Sequence, residues 1–216
     1  MIGIKNYKLA YLLILLSLGF SCGNGNVQQQ NQSDNEKIVQ NNNTSSEDDW
    51  LIVKMAGNEI GKISKNTDEI CFFVQGTEYQ SRLKGDKRKY AVKSGDIIVE
   101  VKYKDDGFKV RRPDGSLLWK IKLYDDKVKI SDNEENQNPY EIKTGDSGKI
   151  KLKRNDETIG EVEFKASDNK IEITAGPKSY YIESSKPSLA YGVLIIDEIP
   201  EYIRYLIAAE LLAKGK

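Results

Sequence analysis

From Trp50 onward the chain alternates apolar and polar side chains with a period of two. Ile97, Val99, Val101 and Tyr103 are separated by Ile98, Glu100 and Lys102, and Trp119, Ile121 and Leu123 by Lys120 and Lys122. Alternation of this kind sets one strand face on a core and the other in water, as in antiparallel sheets. Turn-forming groups break the pattern at Asp106-Gly107, Pro113-Asp114-Gly115, Asp125-Asp126 and Asp168-Asn169, at hairpin intervals. The pattern predicts one short antiparallel hairpin after another.

Three stretches resemble one another. Gly57–Ile63, Asp68–Phe72 and Tyr90–Gly95 form the first copy. Asp114–Ile121, Asp126–Ile130 and Tyr140–Gly145 form the second, and Asp156–Val162, Asn169–Ile173 and Tyr180–Ser185 the third. Spacing varies between copies, so a strict solenoid array is not expected. Four strands per copy predict a mainly β domain of about 12 strands.

The C-terminus changes grammar. After Pro187 and Ser188, the run Leu189–Ile196 has no period of two and is apolar on every side, which predicts a helix buried on every side. Residues 188–196 are therefore read as a hydrophobic helix threaded into a closed antiparallel barrel. Pro200 breaks the path, and 201–214 is read as a second, short amphipathic helix packed on the rim or outside, with a membrane-surface helix as the alternative. The ordered domain is placed at 50–216.

The N-terminus speaks of address. Lys5 and Lys8 precede an apolar run from Leu9 to Phe20, then Ser21 and Cys22. That run is far short of the ~20 residues needed to span a bilayer as a helix, and its flanks fit an exported signal peptide. The order resembles a bacterial lipoprotein signal, although Gly19 stands where leucine is usual and Phe20 is bulky. The resemblance implies a signal peptide over 1–21, lipidation of Cys22 and a lipid-anchored place in the bacterial cell envelope. More than one acyl chain makes such anchoring stable. Residues 22–49, rich in Gln, Asn and Ser, read as a disordered tether, with a reach of ~30 Å as a coil.

Composition narrows the chemistry. Without residues 1–21 the chain carries 31 basic and 33 acidic side chains, a balance that gives no support to nucleic acid as a partner. Histidine is absent, which removes the commonest general base and metal ligand. Of the two cysteines, Cys71 lies in the strand-like run Ile70–Val74 and reads as a small buried hydrophobe without an intramolecular partner if Cys22 is acylated. No metal and no cofactor is expected. Gly145-Asp146-Ser147-Gly148-Lys149 departs from a phosphate loop in spacing and in the following Ile150, and reads as a hairpin turn.

Quasi-repeated strands ending in the apolar segment Tyr191-Gly192-Val193-Leu194-Ile195-Ile196-Asp197-Glu198-Ile199 resemble the tubby C-terminal-like superfamily, which includes tubby proteins, phospholipid scramblases and the LURP-one-related group. The resemblance covers roughly 50–200. It implies a barrel of about twelve strands around a central hydrophobic helix, with no shared catalytic motif to transfer. Phosphoinositide binding in that superfamily comes across only as an analogy of fold.

One constellation offers a surface. Arg82, Lys84, Lys87, Arg88, Lys89 and Lys93 crowd into twelve residues, opposed only by Asp86, with Lys104, Lys109, Arg111 and Arg112 as an extension. Near an anionic leaflet each cation contributes ~1 kcal/mol, so this basic patch is the candidate lipid-binding site. The competing explanation is a lysine-rich solvated face. The chain is expected to be a non-enzymatic binding or scaffold lipoprotein, meeting anionic lipid headgroups, an envelope polymer or a protein partner. The alternative is a carrier whose barrel encloses a lipid or another hydrophobic ligand.

Overall fold

A computed structural model describes residues 49–145 and 147–216. The expected signal peptide, Cys22 and most of the tether lie outside the described residues. Fourteen strands follow in chain order: β1 (Trp50–Met55), β2 (Asn58–Ser64), β3 (Cys71–Val74), β4 (Thr77–Lys84), β5 (Lys87–Val92), β6 (Ile97–Lys104) and β7 (Gly107–Arg111). Then come β8 (Leu117–Leu123), β9 (Lys127–Ser131), β10 (Tyr140–Thr144), β11 (Ile150–Arg154), β12 (Glu157–Lys165), β13 (Lys170–Ala175) and β14 (Lys178–Ile182). Each pairs antiparallel with the next, and β1 pairs with β14 to close the barrel.

Fourteen strands replace the expected twelve because the repeat units each accounted for only part of the wall. The second strands of the three copies are β3, β9 and β13, and the tyrosine strands are β5, β10 and β14. The strands β4 and β6 belong to no common position. β4 has little apolar alternation and no fully buried residue. The repeated tyrosines keep equivalent roles: Tyr90, Tyr140 and Tyr180 are all buried.

Because the strands form a meander, successive turns fall on alternate ends. Trp50 enters at one end, which we term the entry end. Four β-bulges lie close to the opposite, far end, in the β1–β2, β5–β6, β7–β8 and β11–β12 pairs. A bulge strengthens local twist and bends its strand. The bulge between Tyr90 and Ala91 also ends the alternation of β6: Val99 and Val101 are buried, whereas Ile97 is exposed.

The chain then turns inward. A 3-10 helix (Leu189–Ile195) is buried at every residue, and α1 (Glu201–Ala213) is buried at eight of its thirteen. Ser188 starts the 3-10 helix by accepting the Ala190 amide on its hydroxyl, one of the orphan donors of a helix start. The bend between the two helices is held at the far end by Lys178 to Asp197, Arg154 to Glu198 and Gln75 to Glu201. The C-terminus returns to the entry end, where the Lys216 ammonium donates to the Tyr124 carbonyl at 2.8 Å.

The lumen is thus filled by a helical hairpin made of the chain's own C-terminus. Glycine makes room for it: a Cβ at Gly192 would come within 2.8 Å of Ile142, and one at Gly160 would overlap Ile195. Only the first segment was expected inside. Placing α1 on the rim or on a membrane surface is corrected here, because its charges find partners within the protein. Arg204 donates to the Leu194 carbonyl at 2.8 Å, and Glu210 lies within a hydrogen-bonded cluster. Among the described residues no helix is long and apolar enough to cross a membrane.

Candidate functional site

The wall of the barrel divides the basic patch into three parts. Arg82 and Lys84 on β4 and Lys87 and Lys89 on β5 share the outer face, with Arg82 opposite Lys89 and Lys84 opposite Lys87. Lys93 sits in the β5–β6 turn at the far end, a strand length of roughly 20 Å from Lys87. Arg88 alternates to the inside and is only 6% exposed. The patch as read from sequence is therefore corrected: Arg88 is a lumen residue, because a strand sends neighbouring side chains to opposite faces.

The outer cations continue across the sheet. Lys87 faces Lys102 on β6, Lys102 faces Lys109 on β7, and Lys109 faces Lys120 on β8. With Lys84, five lysines on five consecutive strands form one cross-strand row. Strand separation of about 4.8 Å makes the row roughly 20 Å long. Arg82, Lys89 and Arg111 flank it. Lys109 and Arg111 join the patch as expected from sequence, while Lys104 lies nearer the entry end and Arg112 enters the β7–β8 turn. Lys102 and Lys120 were not singled out, since only strand register brings them into line.

Among the described residues, three carboxylates touch this group. Glu100 on β6 pairs with Lys89 at 2.9 Å and Lys87 at 3.3 Å. The Lys89 hydrogen bond outweighs partial burial and, with Lys87, holds the Glu100 carboxyl below its ordinary range. Asp86 reaches Lys102 at 3.9 Å. Glu134 comes from the β9–β10 loop, which folds over the outer wall: its carboxylate pairs with Lys109 and, at 2.6 Å, with Arg111, and Lys120 donates to its carbonyl. The Lys109 hydrogen bond is the main cause that holds its carboxyl below the ordinary range. Asn133 fixes the loop, accepting the Gln137 amide at 2.7 Å and donating to the Gln137 carbonyl at 2.9 Å.

Inside, Arg88 belongs to a different assembly. Its Nε donates to the Tyr103 hydroxyl at 2.9 Å and lies 3.4 Å from Oε1 of Glu210. Its Nη atoms donate to Asp68 O, Ser81 Oγ and Thr67 O. Glu210, 1% exposed, accepts the Tyr90 hydroxyl on Oε1 and the Tyr103 hydroxyl on Oε2, both at 2.8 Å. Burial raises the Glu210 carboxyl above its ordinary range, against the lowering pull of Tyr90 and Arg88. Desolvation opposes the Arg88 charge, but the Tyr103 hydrogen bond and Glu210 outweigh it and hold the guanidinium above its usual range. Each polar side-chain atom of Arg88 and Glu210 bonds the wall or its partner across it. The cluster locks the helix to the barrel and offers no open face for chemistry.

A trough of about 1010 Å³ opens at the entry end, lined by Leu51, Lys65, Lys170, Lys186, Tyr191 and Lys216 among others. Its walls mix charged and apolar groups and open broadly to solvent. Between β10 and β11 the Gly145 amide donates to the Lys149 carbonyl at 2.7 Å. Cys71 is buried as expected, but it is disulfide-bonded and not a free thiol. Its partner lies outside the described residues. Among the described residues, no group of three or more cysteine and carboxylate side chains is arranged to hold a metal.

No protein-family model matches the chain, and neither the curated proteins nor the solved structures include one that is similar to it.

Proposed function

We propose that the protein is a membrane-tethered, non-enzymatic binding or scaffold domain, anchored in a bacterial envelope through acylated Cys22, that meets anionic partners on the outer wall of β4–β8. The observation carrying this reading is the filled lumen. Two helical segments of the chain occupy the space a carrier would need for its ligand, so the alternative of an enclosed lipid draws no support from the interior. The outer wall of β4–β8 then offers a charged face: eight cations (Arg82, Lys84, Lys87, Lys89, Lys102, Lys109, Arg111 and Lys120) beside three carboxylates that contact them among the described residues.

The tubby-like resemblance adds only a likeness of architecture, and here the wall has fourteen strands and the lumen two segments. Anchor and wall are tested separately. Cys22→Ala is expected to move the protein from the membrane to the soluble fraction. Acylation and a disulfide cannot share one sulfur, and Cys22 is the only cysteine besides Cys71, so the tethered form is one in which Cys71 carries no intramolecular disulfide; the intact mass of the mature chain tells the two states apart, and an unacylated chain overturns the anchor. For the wall, binding to vesicles of graded anionic content is expected to rise with anionic lipid and fade with salt. A chain that binds no anionic probe at low salt sinks this reading.

A further inference from the structure

We infer that the row Lys84–Lys87–Lys102–Lys109–Lys120 is a binding track for an acidic polysaccharide, and that Glu134 occupies one end of it as a built-in competitor. This rests on the reading of the outer wall as the binding face and names its ligand class.

The row is costly to keep. Lysines stand directly opposite one another at four successive strand pairs, and like charges in that position are destabilising. Edge protection does not account for them, because the barrel is closed and β4–β8 have no free edge. Solubility needs charge, but it does not need one sign set in line.

Shape selects among anions. Fourteen strands share one full turn, about 25° each, so five strands curve through roughly a quarter turn. A flat bilayer touches only the strands at the tangent, and the lysines at both ends of the row fall away from it by a large part of the ~8 Å screening length. A flexible chain follows the curve and meets all five. The outer positions around the row (Gln80, Ala91, Ile97 and Leu117 beside the charged residues) include no aromatic ring, so the stacking platform of a single-stranded nucleic-acid site is missing. A pitch of about 4.8 Å per cation suits a linear polymer with an anionic group on successive units.

Glu134 shows how such a group is held. Its carboxylate sits between Lys109 and Arg111 while Lys120 grips its carbonyl, which is the environment a sulfate or carboxylate of the polymer would take. The loop that carries it crosses the track at the β7–β8 end. A polymer covering the full row must displace this carboxylate.

The test uses the full mature chain and heparin fragments of increasing length as the probe, with anionic vesicles and single-stranded DNA in parallel. Affinity is expected to rise with fragment length until the ~20 Å row is spanned, and to fall linearly on a log–log plot against salt. Lys87→Gln and Lys102→Gln are each expected to weaken binding by roughly fivefold, and Glu134→Gln to tighten it by a similar factor, as ~1 kcal/mol per charge implies. Circular dichroism melts check that each variant is folded. Length-independent affinity, or affinity unmoved by the lysine changes, overturns the track. Tightest binding to vesicles or to DNA overturns the polysaccharide while the anionic wall stands. Binding to none of the probes removes both. Unchanged affinity in Glu134→Gln overturns the competitor.

Discussion

Gly61 on β2 lies flat against the Tyr205 ring of α1: a Cβ at Gly61 would stand 2.6 Å from the ring carbons and the hydroxyl. The glycine is there to admit the helix, not to bend the strand. Gly61→Ala is expected to destabilise the fold by about 1–3 kcal/mol, the usual range for overpacking. Combining it with Tyr205→Leu should recover part of that loss, because the two residues share one space and do not add independently. Denaturant unfolding of the four-member cycle measures it; strict additivity would mean that α1 does not press on β2.

The Tyr205 hydroxyl itself is buried without a hydrogen-bond partner among the described residues. An unpaired buried hydroxyl costs free energy and a phenyl ring does not. Tyr205→Phe should therefore be neutral or stabilising by up to about 1 kcal/mol, seen as an equal or higher melting temperature. A clear loss of stability would show that the hydroxyl has a partner, such as a bound water.

Glu210 couples the same helix to the opposite side of the barrel. Glu210→Ala leaves the Arg88 guanidinium buried without its counter-charge, and breaking a buried pair in this way costs about 3–5 kcal/mol. Glu210→Gln keeps a carbonyl for the two tyrosines and should cost less. The pH response has a definite sign. Burial raises the folded carboxyl above its unfolded value, so the folded state binds this proton more tightly. Between the ordinary carboxylate range and the raised value, this group's contribution falls as pH rises. Wild type should thus gain stability relative to Glu210→Gln as pH drops from neutral toward about 4; urea titrations at stepped pH give the difference, and an opposite slope refutes the assignment.

How much of this was legible in the chain follows from what each feature depends on. Alternation around Val99, Val101, Trp119 and Ile121 depends on one strand at a time, and the closed antiparallel barrel came through. The apolar run Leu189–Ile196 likewise announced its burial. The place of α1 did not come through, because Arg204 and Glu210 look like solvent-facing charges until Leu194, Tyr90, Tyr103 and Arg88 are known to meet them. The membership of the basic patch was only partly legible, for the same reason in reverse. Arg88 is adjacent to Lys87 and Lys89 in sequence but opposite to them in space, while Lys102 and Lys120 join the row only through register.

If the C-terminal hairpin is the core, charge cannot be placed in it. Ile195 is 4% exposed against the wall near Gly160, and an unpaired carboxylate there has no water and no partner. Ile195→Asp should prevent folding, and the milder Ile207→Ala should cost about 2–5 kcal/mol. Limited proteolysis and thermal melts report both. A folded, protease-resistant Ile195→Asp protein would mean that the segment can leave the lumen, which would reopen the carrier.

The lysine row carries the sharpest separation between stability and function. Lys102 faces Lys87 on one side and Lys109 on the other, and its own ion pair with Asp86 is long and exposed, at 3.9 Å. Such a pair contributes little, whereas two like-charged neighbours each oppose folding. Lys102→Glu turns both repulsions into attractions, so it should raise stability by roughly 0.5–1 kcal/mol while weakening binding to an anionic probe and flattening its salt dependence. If the variant loses stability as well, the row is part of what holds β5, β6 and β7 together. If it gains stability and binds as before, the row serves neither purpose. Only gain of stability with loss of binding fits a wall that gives up some stability to hold an anionic partner.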